Sequence, residues 1–213
     1  IKTDNLGNIE WQQTYGDVGT DVGFYLSNTI DGGYIVTGFT NSYNGYNQIC
    51  LIKIHENGDL DWMETYGSNI CKAYSVKQTN DNGYIITGYT YSETNGKDLY
   101  VIKVNTSGSI EWTRTIGYTS DDIGNDIELT LDGGYIITGY FGSSNSSDRD
   151  LWLIKLNESG YTEWESFFGG TQYDVGKAVH QTNDNGFIIS GYTFSYGNDS
   201  QVYLIKTDSE GTL

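Results

Sequence analysis

The stretch Gly83-Tyr84-Ile85-Ile86-Thr87-Gly88-Tyr89 occurs, with small changes, four times along the chain. The other copies are Gly33-Tyr34-Ile35-Val36-Thr37-Gly38-Phe39, Gly134-Tyr135-Ile136-Ile137-Thr138-Gly139-Tyr140 and Gly186-Phe187-Ile188-Ile189-Ser190-Gly191-Tyr192, so successive copies lie 50, 51 and 52 residues apart. Self-similarity at this period marks a repeat architecture, in which one unit cannot bury its apolar face without a neighbour. The phrase is rich in β-branched and aromatic residues and reads as a strand.

Outward from the phrase, each unit carries three more strand-like runs. Before it come residues 24–29, 74–79, 125–130 and 177–182, joined to it by Asp31-Gly32-Gly33, Asp81-Asn82-Gly83, Asp132-Gly133-Gly134 and Asp184-Asn185-Gly186. Asp, Asn and Gly tolerate the positive φ of tight hairpins, so these triplets predict hairpin turns. After it come residues 49–54, 99–104, 151–156 and 202–207, apolar on both faces and hence expected inside stacked sheets. A fourth strand carries Trp11, Trp62, Trp112 and Trp164. Lys2 and Glu10, Lys53 and Asp61, Lys103 and Glu111, and Lys155 and Glu163 stand eight apart across a turn glycine. They are expected to face each other across a hairpin and to help fix register, at roughly 0.2–1 kcal/mol per pair.

Four strands per unit and no helical periodicity predict an all-β fold, a β-propeller of four four-stranded blades forming one domain over residues 1–213. The units run approximately 17–67, 68–117, 118–169 and 170–213, the last completed by 8–16. Residues 1–9 (Ile-Lys-Thr-Asp-Asn-Leu-Gly-Asn-Ile) are echoed by residues 205–213 (Ile-Lys-Thr-Asp-Ser-Glu-Gly-Thr-Leu). The last unit lacks a fourth strand, and the N-terminal strand is expected to supply it and close the ring. The alternative is four blades of a larger or oligomeric ring, with self-association through open sheet edges.

The sequence Tyr-Ile-Ile-Thr-Gly-Tyr, followed by Leu-Ile-Lys and Gly-x-Ile-x-Trp, resembles the SBBP-type β-propeller repeats of secreted and surface proteins of bacteria and archaea. That resemblance covers essentially the whole chain. It implies an extracellular or cell-surface binding or structural module rather than a particular reaction.

Composition bounds the partners. A net charge of −17 repels phosphate backbones, so nucleic acid is not an expected partner. No apolar run approaches the roughly 18 residues of a membrane span. Proline is absent, and neither an initiator Met nor a basic, apolar leader is present, as expected of a mature or excised segment. Asn-x-Ser/Thr sequons at Asn105, Asn145, Asn157 and Asn198 are no more than a chain this rich in Asn, Ser and Thr supplies by chance.

Departures from the repeat mark the candidate sites. Asp21, Asp122 and Asp174 occupy equivalent positions before the first strand and are candidate Ca²⁺ ligands around one mouth of a channel. The commoner role of such an Asp is to bind the backbone of its own turn. The fourth equivalent is Cys71, and Cys50 replaces an aromatic residue found elsewhere as Tyr100, Trp152 and Tyr203. The two cysteines form either a disulfide between adjacent units or a pair of buried thiols; the extracellular resemblance favours the bond. The loops after the phrase vary most and carry Tyr43, Tyr46, Tyr91, Phe141, Phe194 and Tyr196 as candidate ligand-binding aromatics. His55 and His180 belong to no nucleophile or zinc motif, so no catalytic residue is assigned. The expected function is noncatalytic adhesion, or binding of a glycan or protein surface. A structural subunit of a surface layer or filament is the alternative, and a polysaccharide-active enzyme the third choice.

Overall fold

The turn that opens each copy of the phrase is a four-residue hairpin loop. Thr79 N–H bonds to the Gly83 carbonyl, Asn82 N–H bonds back to Thr79, and Asn82 takes φ 65°. Gly32, Gly133 and Asn185 take the same left-handed conformation, which explains the Gly/Asn choice at that position. The second glycine of the phrase is required by contact. A β-carbon on Gly88 would strike the Lys72 carbonyl oxygen, where the paired strand carries a β-bulge between Ala73 and Ser75.

The computed structural model describes residues 1–43, 45–68, 70–118, 120–142, 148–197 and 199–213. Among these, every regular element is a strand. An N-terminal hairpin, β1 (Lys2–Thr3) and β2 (Ile9–Trp11), precedes four antiparallel sheets. Sheet I is β3 (Asp21–Asn28), β4 (Tyr34–Thr40), β5 (Gln48–Ile54) and β6 (Leu60–Tyr66). Sheet II is β7 (Cys71–Gln78), β8 (Tyr84–Ser92), β9 (Gly96–Val104) and β10 (Ile110–Ile116). Sheet III is β11 (Ile123–Leu129), β12 (Tyr135–Gly142), β13 (Arg149–Leu156) and β14 (Thr162–Phe168). Sheet IV has three strands, β15 (Asp174–Gln181), β16 (Phe187–Thr193) and β17 (Gln201–Thr207).

Each sheet has a forward face that packs on the rear face of the next. Ile35, Ile49 and Leu51 of sheet I meet Val76, Ile86 and Ile102 of sheet II in one buried cluster. Ile85, Leu99 and Val101 meet Ile127, Ile137 and Ile154 in the second. Ile136, Leu151 and Leu153 meet Val179, Ile189 and Ile205 in the third. The core is therefore built mainly from three copies of one interface, as the repeat demands, with a fourth, smaller cluster of Tyr89, Ile123, Tyr140 and Val175 joining sheets II, III and IV. Indoles lock the sheet edges: Trp62 packs edge-on to Tyr84, Trp112 against Tyr135 and Trp164 against Phe187, at ring-centroid separations of 5.8, 6.0 and 5.7 Å.

The expected ring closure is not formed. β2 pairs with β1 and not with β17, so the structure has five sheets, and the fourth repeat remains three-stranded. The physical reason is local: a tight turn closed by Asp4 N–H to Asn8 carbonyl and by Gly7 N–H to Asp4 carbonyl brings β1 onto β2 before any distant strand can compete.

The lysine–acid pairs need a similar correction. Lys103 lies opposite Trp112 rather than opposite Glu111, because Glu111 sits where the register shifts at a bulge. Its carboxylate still reaches back to Lys103 Nζ at 2.7 Å, as Glu163 does to Lys155 at 2.8 Å. The turn aspartates supply a second partner to two of these lysines, Asp81 to Lys103 at 2.7 Å and Asp132 to Lys155 at 2.9 Å. Lys53 pairs with the turn Asp31 at 2.9 Å, whereas its expected partner Asp61 lies 3.9 Å from His55 Nε2. These three lysines are almost fully buried, so the paired carboxylates offset the cost of removing an ammonium from water.

Candidate functional site

Strand pairing places all the variable loops at one end of the stacked sheets. Asp21 pairs with Thr40, Cys71 with Thr90, Ile123 with Tyr140 and Asp174 with Thr193, so the strand starts share that end with the loops. Backbone bonds stitch neighbouring sheets together there: Cys71 N–H to the Asn47 carbonyl at 2.8 Å and Asp122 N–H to the Lys97 carbonyl at 2.6 Å.

Two of the candidate aromatics come together. Tyr46, from the β4–β5 loop of sheet I, and Tyr91, near the end of β8 in sheet II, line one groove with Ser68, Ile70 and Glu93. The groove encloses about 370 Å³. Tyr46 is 58% exposed and Tyr91 39%, so both residues reach the surface at the groove. Ser68 and Glu93 add hydrogen-bonding oxygens beside them. Tyr43 is also exposed but does not line this groove.

The other aromatics are placed differently. Phe141 is drawn into a ring cluster with Tyr118, Trp152 and Phe167 at centroid distances of 5.4, 6.2 and 4.9 Å. It is half-buried, with Trp152 and Phe167 giving it an apolar neighbourhood on sheet III. Phe194 is half-buried and edge-on to Tyr192. Tyr196 is exposed, and its hydroxyl donates to the Gly169 carbonyl at 2.9 Å. Asn145 and Asn198, two of the sequons, lie outside the described residues.

The three candidate calcium aspartates do not converge. Asp21 accepts from Ser42 Oγ at 3.2 Å, Asp122 from the N–H groups of Tyr118 and Gly142 at 2.7 and 2.9 Å, and Asp174 from Gly170 N–H at 2.9 Å and Ser195 Oγ at 2.6 Å. Each binds nearby loop backbone or hydroxyl groups, and the described residues hold no group of three or more His, Cys, Asp or Glu placed for a metal ion.

Two of these positions, Asp122 and Asp174, form carboxylate pairs instead. A β-carbon on Gly117 would collide with Asp98 and with Asp122 Oδ2, at 2.9 Å from the latter, so the two side chains crowd one point between sheets II and III. Asp150 and Asp174 crowd Gly169 in the same way between sheets III and IV. Asp98 is buried, and its Oδ1 has no hydrogen-bond partner among the described residues. Burial pushes the Asp98 carboxyl above the usual range; burial, with Asp98 and Asp121 adding, pushes Asp122 up to about 6. Asp98 and Asp150 recur at one repeat position, a signal present in the sequence but overshadowed by the strand pattern around it.

Cys50 and Cys71 are free, buried thiols rather than a disulfide. Their strands explain it: Cys50 alternates with Ile49 and Leu51 and faces the rear of sheet I beside Val36, Ile52 and Met63, whereas Cys71 sits in the forward interface. Cys71 Sγ donates to the Tyr66 carbonyl at 3.3 Å. Burial, helped by the Asp21 carboxylate, pushes the Cys50 thiol up to about 12, and burial raises Cys71 as well.

Both histidines are exposed, with His55 3.9 Å from Asp61 and His180 3.6 Å from Glu128.

Residues 31–61 match a family model described as "Domain of unknown function (DUF5122) beta-propeller". That segment contains the first copy of the phrase and most of β4–β6, and the match supports a β-propeller family. No curated protein matches the chain.

Proposed function

We propose that this chain is a noncatalytic propeller-repeat module of the SBBP type, working outside the cell, that binds a neutral glycan. The groove between sheets I and II carries the reading. Two tyrosines from neighbouring sheets, Tyr46 and Tyr91, line it beside Ser68 and Glu93. Aromatic faces stack on the C–H faces of sugar rings, while hydroxyl and carboxylate oxygens bond to sugar hydroxyls. Glu93 and the net charge of −17 discriminate against sulfated or sialylated chains. A glycan array followed by calorimetry tests this. Binding of a neutral oligosaccharide is expected to weaken about tenfold, or about 1.4 kcal/mol, in each of Tyr46→Ala and Tyr91→Ala. Equal affinity in both variants, or retention of sulfated glycans alone, would discard the groove.

A second reading, a structural subunit of a surface layer or filament, is favoured by a separate observation: both ends of the sheet stack leave apolar residues open. Leu26 on the rear of sheet I is 59% exposed, and Val202 and Leu204 on the front of sheet IV are 86% and 64% exposed.

A further inference from the structure

The two open ends are the two halves of the interface that the chain already makes three times. On the forward side, Val202 and Leu204 stand where Leu151 and Leu153 stand in sheet III, and those are fully buried. On the rear side, Leu26 stands where Val76, Ile127 and Val179 are fully buried. An isolated exposed leucine is unremarkable, but two complementary halves of one proven interface on a single chain are not.

The N-terminal hairpin shows how the halves fit. Trp11 packs edge-on to Tyr34 at 6.0 Å, and the Tyr15 hydroxyl donates to the Gly58 carbonyl at 2.6 Å. Trp62 and Tyr66 make the same contacts to Tyr84 and to the Gly108 carbonyl, the latter at 2.7 Å. β2 thus sits against sheet I where the outermost strand of a preceding sheet belongs. Beside it, Lys2 of β1 pairs with Trp11 as Lys53 pairs with Trp62, so β1 holds the place of a third strand. Its sequence, Ile1-Lys2-Thr3-Asp4, is also the sequence at the end of β17, Ile205-Lys206-Thr207-Asp208. β17 has one open edge, and β1 is only two residues long.

We propose that the chain associates head to tail with a second copy by strand exchange. β17 of one copy displaces β1 of the next and pairs with its β2, completing the four-stranded sheet. The register follows from the internal sheets. Because Leu51 pairs with Glu64 and Lys53 with Trp62, Leu204 comes opposite Gln13 of the second copy and Lys206 opposite its Trp11. Lys206 then takes over Glu10, the partner that Lys2 holds within the chain. Val202 and Leu204 are buried against Leu26 in the process. The net charge of −17 opposes association at low ionic strength, so the contact strengthens as salt screens it. This deepens the structural-subunit reading and is independent of the glycan groove: loss of either leaves the other standing.

Sedimentation velocity at rising protein concentration in 0.5 M salt, together with cross-linking between two single-cysteine additions, tests the exchange. The chain is expected to form dimers or longer species, and Leu204→Glu, a change at an exposed position, to weaken association at least tenfold. Gln13→Cys mixed with Leu204→Cys is expected to give a disulfide-linked heterodimer under mild oxidation, a product that only contact between copies can form. A chain monomeric throughout, with no heterodimer in the mixture, would overturn the proposal. So would a double variant that cross-links solely within one copy, because that is closure of a single ring.

Discussion

The turn end and the loop end of the strands hold the same residue type in opposite electrostatic states. At the turn end, Asp81 and Asp132 each hold a buried lysine. Although burial works against their ionisation, the bonds from lysine and from Thr79 or Thr130 bring both carboxyls down to about 2. At the loop end, Asp98 and Asp122 are buried against each other, and their carboxyls are pushed up. The turn end is a repeated, electrostatically satisfied lock. The loop end stores unfavourable charge, a pattern more often associated with sites than with scaffolds.

The largest expected effect breaks the lock. Lys103→Ala leaves Asp81 and Glu111 without their cation and opens space beside the Gly83 turn, and is expected to cost about 1–3 kcal/mol in chemical denaturation. Lys206, which is far more exposed, is the internal control, with a loss below about 0.5 kcal/mol for Lys206→Ala. Equal losses at the two positions would erase the distinction between a buried and a superficial lock.

The pH profile of stability sharpens the contrast. Asp122 has a folded value near 6, above the ordinary 3.8, so its protonated form favours the folded state. Stability is therefore expected to fall as pH rises from about 4 through about 6, by on the order of 2 kcal/mol. Asp81 and Asp132, near 2 when folded, act in the opposite direction: their contribution is complete above about 4 and is lost as pH falls towards 2. Thermal unfolding from pH 2 to 8 is expected to show a maximum near pH 4. A monotonic rise to neutrality would mean that the loop-end carboxylates carry no strain.

The smallest effect isolates one pair. Asp98→Asn removes the neighbouring charge and supplies an amide donor towards Asp122. A gain of about 1 kcal/mol at pH 7 and a downward shift in the Asp122 titration, followed by carboxyl NMR, are expected. An unmoved Asp122 midpoint would uncouple the two.

Much of the turn end was legible in the sequence, because hairpin chemistry is local. The Asp-Asn-Gly and Asp-Gly-Gly turns, the strand order and the place of the Trp series on the fourth strand all follow from spacing within one unit. The bulge that moves Glu111 out of line with Lys103 was not legible, since a one-residue register shift leaves the periodic pattern intact. At the loop end the relevant neighbours lie in different repeats. Tyr46 meets Tyr91, and Asp98 meets Asp122, across an interface whose angle no single unit encodes. The surroundings of Phe141 were hidden for a related reason: it closes β12, and the Trp152 and Phe167 rings beside it come from the other strands of its sheet.

The indole series has a consequence for how the molecule comes apart. Trp11, Trp62, Trp112 and Trp164 each lie against the turn glycine of the following sheet, at Gly58, Gly108, Gly160 and Gly211, where a β-carbon would collide with the ring. Each of these fluorophores therefore reports one junction, while the fifth, Trp152, is buried in the interface between sheets II and III. In a linear stack with nearest-neighbour coupling, the terminal units have one partner and the central units two. Emission from Trp11 and Trp164 thus registers fraying of the outer junctions before the middle melts, giving the chain a built-in optical map of its own unzipping.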